Sequence, residues 1–263
     1  MGVRIREKGV RRTATNVPDY GNWVGPGLLY FPGGIGIALL LLSLEFFLLI
    51  IGAAISLAVF CYFAYARYEF SPVGGDLQAR IRTLVLNHLE WNGQGSSLDI
   101  GCGNGALTIA VAQRFPRTHV TGVDLWGGGW GYSRQRCESN AKIAGVADRV
   151  TFYQASAATL PFHEGSFDLV VSNLVFHEVR AVRDKRALLE EALRVVKKGG
   201  VFAFQDLFRI REAYGDLDDL LETLRNSGIE RVEYLDTGTS DFIPRPLRLP
   251  FMVGTMGLLY GKK

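Results

Sequence analysis

The chain has 263 residues, 48% of them hydrophobic, and a net charge of +3. That length holds one large domain or one domain with an appendage, and the apolar fraction is ample for a buried core. So small a charge gives no ground for a nucleic-acid partner, and three scattered cysteines, Cys61, Cys102 and Cys137, argue against a disulfide framework and fit a reducing compartment.

In chain order, Arg4, Arg6, Lys8, Arg11 and Arg12 make residues 1–22 a basic segment, of the kind that stays on the cytoplasmic side of a membrane. From Ile35 to Ala66 runs a stretch of 32 residues whose only formal charge is Glu45, longer than the ~20 needed for one membrane-spanning helix. Counted from Trp23, residues 23–66 accommodate two spans with a turn near Ser43–Glu45. A hairpin keeps the basic amino terminus and the following Arg67, Arg80 and Arg82 on one side, whereas one tilted helix would separate them. We therefore expect a transmembrane helical hairpin, hence an integral membrane protein with the remaining chain on the cytoplasmic face. Pro26, Pro32, Gly33, Gly34 and Gly36 predict an irregular first span. Glu45 is expected at the turn, wetted at the far interface, and Trp23, Tyr30, Tyr62, Tyr65 and Tyr68 as interface anchors. Residues 67–76, with Ser71-Pro72-Val73-Gly74-Gly75, read as a linker, leaving 77–263 as the soluble domain.

Helical spacing of Ile81, Leu84, Val85 and Leu89 predicts a lead-in helix over 77–89. Strands are expected at 97–100, 119–124, 150–154, 167–172, 201–206, 231–235 and 250–260. Helices are expected at 106–115, 133–144, 184–196 and 216–226. Lys197-Lys198-Gly199-Gly200 reads as a helix carboxyl end. The alternation predicts an α/β fold, doubly wound, with a mainly parallel seven-stranded sheet.

The chemistry-bearing stretch is Leu98-Asp99-Ile100-Gly101-Cys102-Gly103-Asn104-Gly105, a short apolar strand entering a glycine-rich turn that feeds a helix. Glycines suit a turn that needs left-handed backbone and close approach of a ligand. Gly101-x-Gly103-x-x-Ala106, with Asp124 23 residues beyond Gly101, also satisfies the loose dinucleotide pattern. By spacing alone a nicotinamide cofactor stays open.

The first stretch resembles the opening motif of class I S-adenosylmethionine-dependent methyltransferases. Gly122-Val123-Asp124-Leu125-Trp126 is similar to their second motif, and Gly165-Ser166-Phe167-Asp168-Leu169-Val170-Val171-Ser172-Asn173 to the run into their fourth strand. Leu193-Arg194-Val195-Val196-Lys197-Lys198-Gly199-Gly200 resembles their Leu-Lys-Pro-Gly-Gly turn. Within that class the likeness is greatest to ubiquinone and menaquinone C-methyltransferases, and to membrane-anchored members carrying an Asp-Tyr-Gly, here Asp19-Tyr20-Gly21, ahead of a hydrophobic hairpin.

The resemblance implies a Rossmann-like methyltransferase sheet and S-adenosylmethionine as cofactor. It implies contacts from Asp99, Gly101, Cys102, Gly103, Asn104 and Gly105, a ribose-binding Asp124, and Leu125 and Trp126 over the adenine. Ala155, Ser156 and Ala157 would border the adenine edge, and Asn173, at the carboxyl end of the fourth strand, would also contact the cofactor. Ser156 stands where the family usually has an aspartate, a weaker acceptor for the adenine amine. His177, in Asn-Leu-Val-Phe-His-Glu, has the side chain best suited to take a proton near neutrality, or else packs over the cofactor; Glu178 orients it or is a solvated acid. His88, His119 and His163 have no second ligand at metal spacing. Tyr20, Tyr68 and Tyr132 are candidate lids, and Gly127–Gly131 a gate or a long connection.

Together these predict a membrane-anchored methyltransferase acting on a small lipophilic acceptor such as a quinone, lipid, isoprenoid or thiol. The competing expectation is a membrane-bound S-adenosylmethionine sensor or scaffold without turnover.

Overall fold

The computed structural model describes residues 17–127 and 131–263. The basic cluster Arg4–Arg12, and Gly128, Gly129 and Trp130 of the glycine-rich loop, lie outside the described residues.

Two antiparallel apolar helices come first, α1 (Gly27–Leu42) and α2 (Leu49–Phe70). α2 is long and apolar enough to cross a membrane by length and composition, while α1 is shorter. The expected irregularity of the first span is corrected: α1 runs unbroken through Pro32. Its glycines are a packing surface. A Cβ on Gly33 would lie 3.0 Å from the Phe60 ring and one on Gly36 2.8 Å from the Leu57 side chain, so a larger residue at either would force its neighbour to shift. The Ser56 hydroxyl donates to the Pro32 carbonyl at 2.8 Å, joining the helices. Glu45 is exposed in the turn between them. α2 continues to Phe70, four residues into the segment read as a linker.

After α3 (Leu77–Asn87) the chain alternates strand and helix: β1 (Gly95–Ile100), α4 (Ala106–Arg114), β2 (Thr118–Asp124), α5 (Arg134–Ile143), β3 (Val150–Gln154), β4 (Phe167–Asn173), α6 (Arg186–Arg194) and β5 (Val196–Asp206). The short α7 (Arg211–Tyr214), α8 (Leu217–Asn226), β6 (Arg231–Asp236) and β7 (Gly257–Lys262) complete it. Strand order is β3-β2-β1-β4-β5-β7-β6. The first five strands are parallel, and β7 lies antiparallel between β5 and β6. The connections leave β1 and β4 in opposite directions across the sheet, opening a crevice at their carboxyl ends, where sheets of this kind bind ligands.

Leu98, Ile100, Val170, Phe202 and Phe204 pack beneath α6 and α8 on one face. On the other, Val120, Leu169, Val171 and Ala203 pack against α3, α4 and α5. A third cluster joins the hairpin base to the domain, uniting Val24, Ala66 and Phe70 with Ile81, Ile243, Leu247, Val253 and Met256.

Two boundaries differ from expectation for physical reasons. Lys197 and Lys198 do not end a helix: α6 stops at Arg194, and β5 begins at Val196 through a register shift opposite Phe167 and Leu169. Lys197 instead pairs with Asp168 at 2.7 Å. The apolar run from Pro250 is strand only from Gly257; its first part packs on the hairpin base.

Candidate active site

β1 delivers the chain into the turn 101–105, where Gly101, Gly103 and Gly105 take φ of 71°, 57° and 83°, left-handed values that glycine adopts without a Cβ clash. The turn is tied to β2 by the N–H groups of Gly101 and Cys102, which donate to the Val123 carbonyl at 2.7 and 3.0 Å. Asp124 fastens it further. One carboxylate oxygen accepts the Gly103 N–H at 2.9 Å, the other the Trp126 N–H at 2.7 Å. The Trp126 indole donates back to the Gly103 carbonyl at 2.8 Å. Each Asp124 oxygen keeps lone pairs for further donors.

Gly101 is required from above as well. A Cβ there would come within 2.2 Å of Val175, on the loop leaving β4. Asn104, nearly buried, accepts the Ser133 N–H on its side chain at 3.2 Å and the Asn140 amide on its carbonyl at 3.0 Å. Asn140 also exchanges hydrogen bonds with the backbone of Asp19, at 2.8 and 2.9 Å. The Asp19-Tyr20-Gly21 strap thus crosses the turn, with Gly21 against the Tyr132 ring, the Arg82 guanidinium over the Tyr20 ring and Asp19 paired with Arg136. Tyr132 is pushed up to about 12, by burial first and then by Asp124 and Glu178.

Asp99 is placed differently from the expectation of a cofactor contact. Its carboxylate is 1% exposed beneath the turn and accepts the Thr108 hydroxyl at 2.6 Å. Burial raises it to about 7 against the opposing hydrogen bonds from Thr108. Burial likewise raises the Cys102 thiol, so Cys102 packs as an apolar group. Leu125 is exposed at the rim, and Ala155 donates its N–H to the Asp124 carbonyl at 3.1 Å. The Ser156 hydroxyl accepts the Ala158 N–H at 3.2 Å, shaping its own turn, and Ala157 packs partly into the core.

At the end of β4 the chain carries Asn173, and His177 follows in a single 3-10 turn. His177 Nδ1 lies 2.6 Å from Asp206 on β5, and Nε2 lies 3.5 Å from Glu178. Asp206 is fully buried and also accepts the N–H groups of Val175, Phe176 and Leu207 at 3.0, 2.7 and 2.7 Å. Burial opposes a charge on the imidazole, but the hydrogen bonds to Asp206 and Glu178 outweigh it and raise His177 to about 9. Sequence reasoning missed Asp206 as a site residue. The available signal was its position at the end of a strand beside β4, because carboxyl ends of adjacent parallel strands share one crevice. Gln205 was missed as well. It is paired in register with Asn173, and its buried side-chain amide and Asn173 Oδ1 have no hydrogen-bond partner among the described residues.

The sheet order and this crevice define the fold class of class I methyltransferases. Residues 98–204 match the family model for a methyltransferase domain. An uncharacterized methyltransferase of Synechocystis is 32% identical over 148 residues, 56% of this chain and 63% of its own length. The ubiquinone/menaquinone biosynthesis C-methyltransferase UbiE of Brucella anthropi is 32% identical over 147 residues, 56% of this chain and 52% of its own. The chain therefore spans between about half and two thirds of these relatives. Among solved structures, geranyl diphosphate C-methyltransferase from Streptomyces coelicolor, crystallised with Mg2+, geranyl diphosphate and S-adenosyl-L-homocysteine, superposes with a TM-score of 0.52. It is 17% identical, over 72% of this chain and 80% of that one, a likeness of fold. Over this segment the chain is similar to methyltransferase domains of the S-adenosylmethionine-dependent class.

The residues present fit that cofactor. Asp124 offers acceptor lone pairs to a ribose diol, the glycine turn leaves backbone close to the crevice, and Trp126 and Leu125 supply apolar cover. The unpaired Asn173 Oδ1 supplies a polar edge at the other side. Ser156 retains a hydroxyl for the adenine edge, already engaged locally.

Proposed function

We propose that this chain is a membrane-anchored methyltransferase that moves a methyl group from S-adenosylmethionine to a small lipophilic acceptor, a quinone, lipid, isoprenoid or thiol. The observation that carries the reading is the convergence of the Gly103–Asp124 latch, Asn173 and His177 on the carboxyl ends of β1, β2 and β4, on a domain bolted to an apolar hairpin. When bound, the cofactor supplies an electrophilic methyl on a sulfonium. Gly101–Gly105, Asp124, Trp126 and Ser156 would hold it, and the strap around Tyr20 would close the crevice against water. Orientation in a dry site supplies most of the rate for such a transfer.

His177 is the proton acceptor in this reading. Asp206 holds the proton on Nδ1, so Nε2 is the atom that exchanges protons with an oxygen, nitrogen or sulfur acceptor, and Glu178 lies beside it. On this reading the hairpin anchors the domain at the cytoplasmic face, next to the phase in which a lipophilic acceptor would be concentrated.

Calorimetric titration in detergent tests the cradle. S-adenosylmethionine is expected to bind one site in the wild type, and Asp124→Ala to weaken it by about 10- to 100-fold, the loss typical of hydrogen bonds to a charged group. Equal affinity in the variant, or preference for a nicotinamide dinucleotide, would remove the assignment.

A further inference from the structure

The connection between β6 and β7, residues 237–256, is long, and its chemistry is divided by face. Ile243, Leu247, Val253 and Met256 are buried in the cluster at the hairpin base, and the partly buried Leu174 and Leu207, which directly follow Asn173 and Asp206 of the site, pack against it. Its outer side is apolar too: Phe251 is 67% exposed and Leu249 40%. Arg245 is exposed nearby, whereas Arg248 turns inward to the carbonyls of Ile243 and Ser240.

Contacts with α2 fix the height of this loop. The Tyr62 hydroxyl donates to the Pro246 carbonyl at 3.1 Å, and its ring centroid lies 6.0 Å from that of Phe251. α2 carries no charge from Leu49 to Ala66, and Arg67 is its first. At a rise of 1.5 Å per residue, Tyr62 lies about 7.5 Å nearer the helix's uncharged end than Arg67. If α2 is immersed as far as its uncharged run extends, with Arg67 among the headgroups, Tyr62 carries Phe251 into the interface with it.

We propose that the β6–β7 connection is a second membrane-contact surface: Phe251 and Leu249 enter the leaflet that receives the hairpin base, and Arg245 meets its phosphate groups. This rests on the anchoring stated above and adds an orientation to it. Two attachments, one on each side of the third cluster, hold the Leu174–Leu207 rim of the site toward the bilayer and prevent the domain from swinging freely on its linker.

The test uses the full chain with Cys61→Ala, since Cys102 and Cys137 are buried. An environment-sensitive fluorophore is attached at Phe251→Cys, or at Lys198→Cys, which is exposed at the start of β5. Both proteins are reconstituted in phosphatidylcholine vesicles containing phosphatidylglycerol, and retained S-adenosylmethionine binding reports folding. The expected result is flotation with the vesicles, a blue-shifted emission at 251 quenched by lipids carrying a nitroxide near the headgroup, and neither effect at 198. Flotation with water-like, unquenched emission at 251 would overturn the second contact while leaving the hairpin anchor intact. A blue shift at 251 that lipid nitroxides fail to quench would overturn it in favour of a protein contact. Absence of flotation would overturn both readings.

Discussion

A histidine held 2.6 Å from a buried carboxylate, with a second acid beside it, is charged at neutral pH, and that governs what His177 can do. As a base it must first lose its proton, so kcat/KM is expected to climb with pH towards a plateau above about 9. His177→Asn should flatten that limb and lower the rate by about 10²- to 10⁴-fold; an unchanged profile would leave His177 a packing role. The same pair acts on stability. Because the folded pKa lies above the ordinary 6.5, its contribution is full below 6.5 and fades as pH rises through about 9. The melting advantage of wild type over His177→Asn should therefore narrow across that window. Asp99 has the opposite charge type and the same sign of slope. Raised by burial from 3.8 to about 7, it costs stability as pH rises between those values. Asp99→Asn, which retains an acceptor for Thr108, should gain on wild type from pH 4 to 8 in thermal melts. The glycine turn and its neighbour Asp124 stood out in the sequence because their pattern is local, whereas the burial of Asp99 beneath the turn did not. Nor did Asp206: its bond to His177 spans 29 residues and exists only because β4 and β5 are neighbours.

At the scale of elements, the hairpin and the strap depend on close approach. Gly36→Ile would drive a side chain into Leu57 and its backbone and is expected to separate α1 from α2, with about 1–3 kcal/mol lost in detergent melts; an unchanged melting temperature would show that the helices are not packed as described. The strand expected at 167–172 was readable from an apolar run covered on both faces, and is observed at Phe167–Asn173. Lys197-Lys198-Gly199-Gly200 misled because basic residues followed by glycines suit a helix end and a bulged strand start equally. The Pro250 run misled because residues that pack on a hairpin look, in sequence, like residues that pack in a sheet. Pro32 and its glycines look like breaks until a partner helix needs their small size. The Asp19-Tyr20-Gly21 strap could be named from resemblance, but its seat on Asn104 and Asn140 follows from tertiary contacts alone.

For the whole molecule, the third cluster couples three things: an apolar hairpin, the β6–β7 connection and the rim of the crevice. On the proposed anchoring, an acceptor dissolved in the bilayer would reach the site along an apolar surface, which is the reason to expect a lipophilic substrate. The most direct test supplies methyl-labelled S-adenosylmethionine and a membrane lipid extract to the purified full chain, then follows both label and S-adenosylhomocysteine. Label is expected in the organic phase, with one S-adenosylhomocysteine formed per methyl transferred. Cofactor bound without any S-adenosylhomocysteine, or label confined to water-soluble products, would contradict the proposed function.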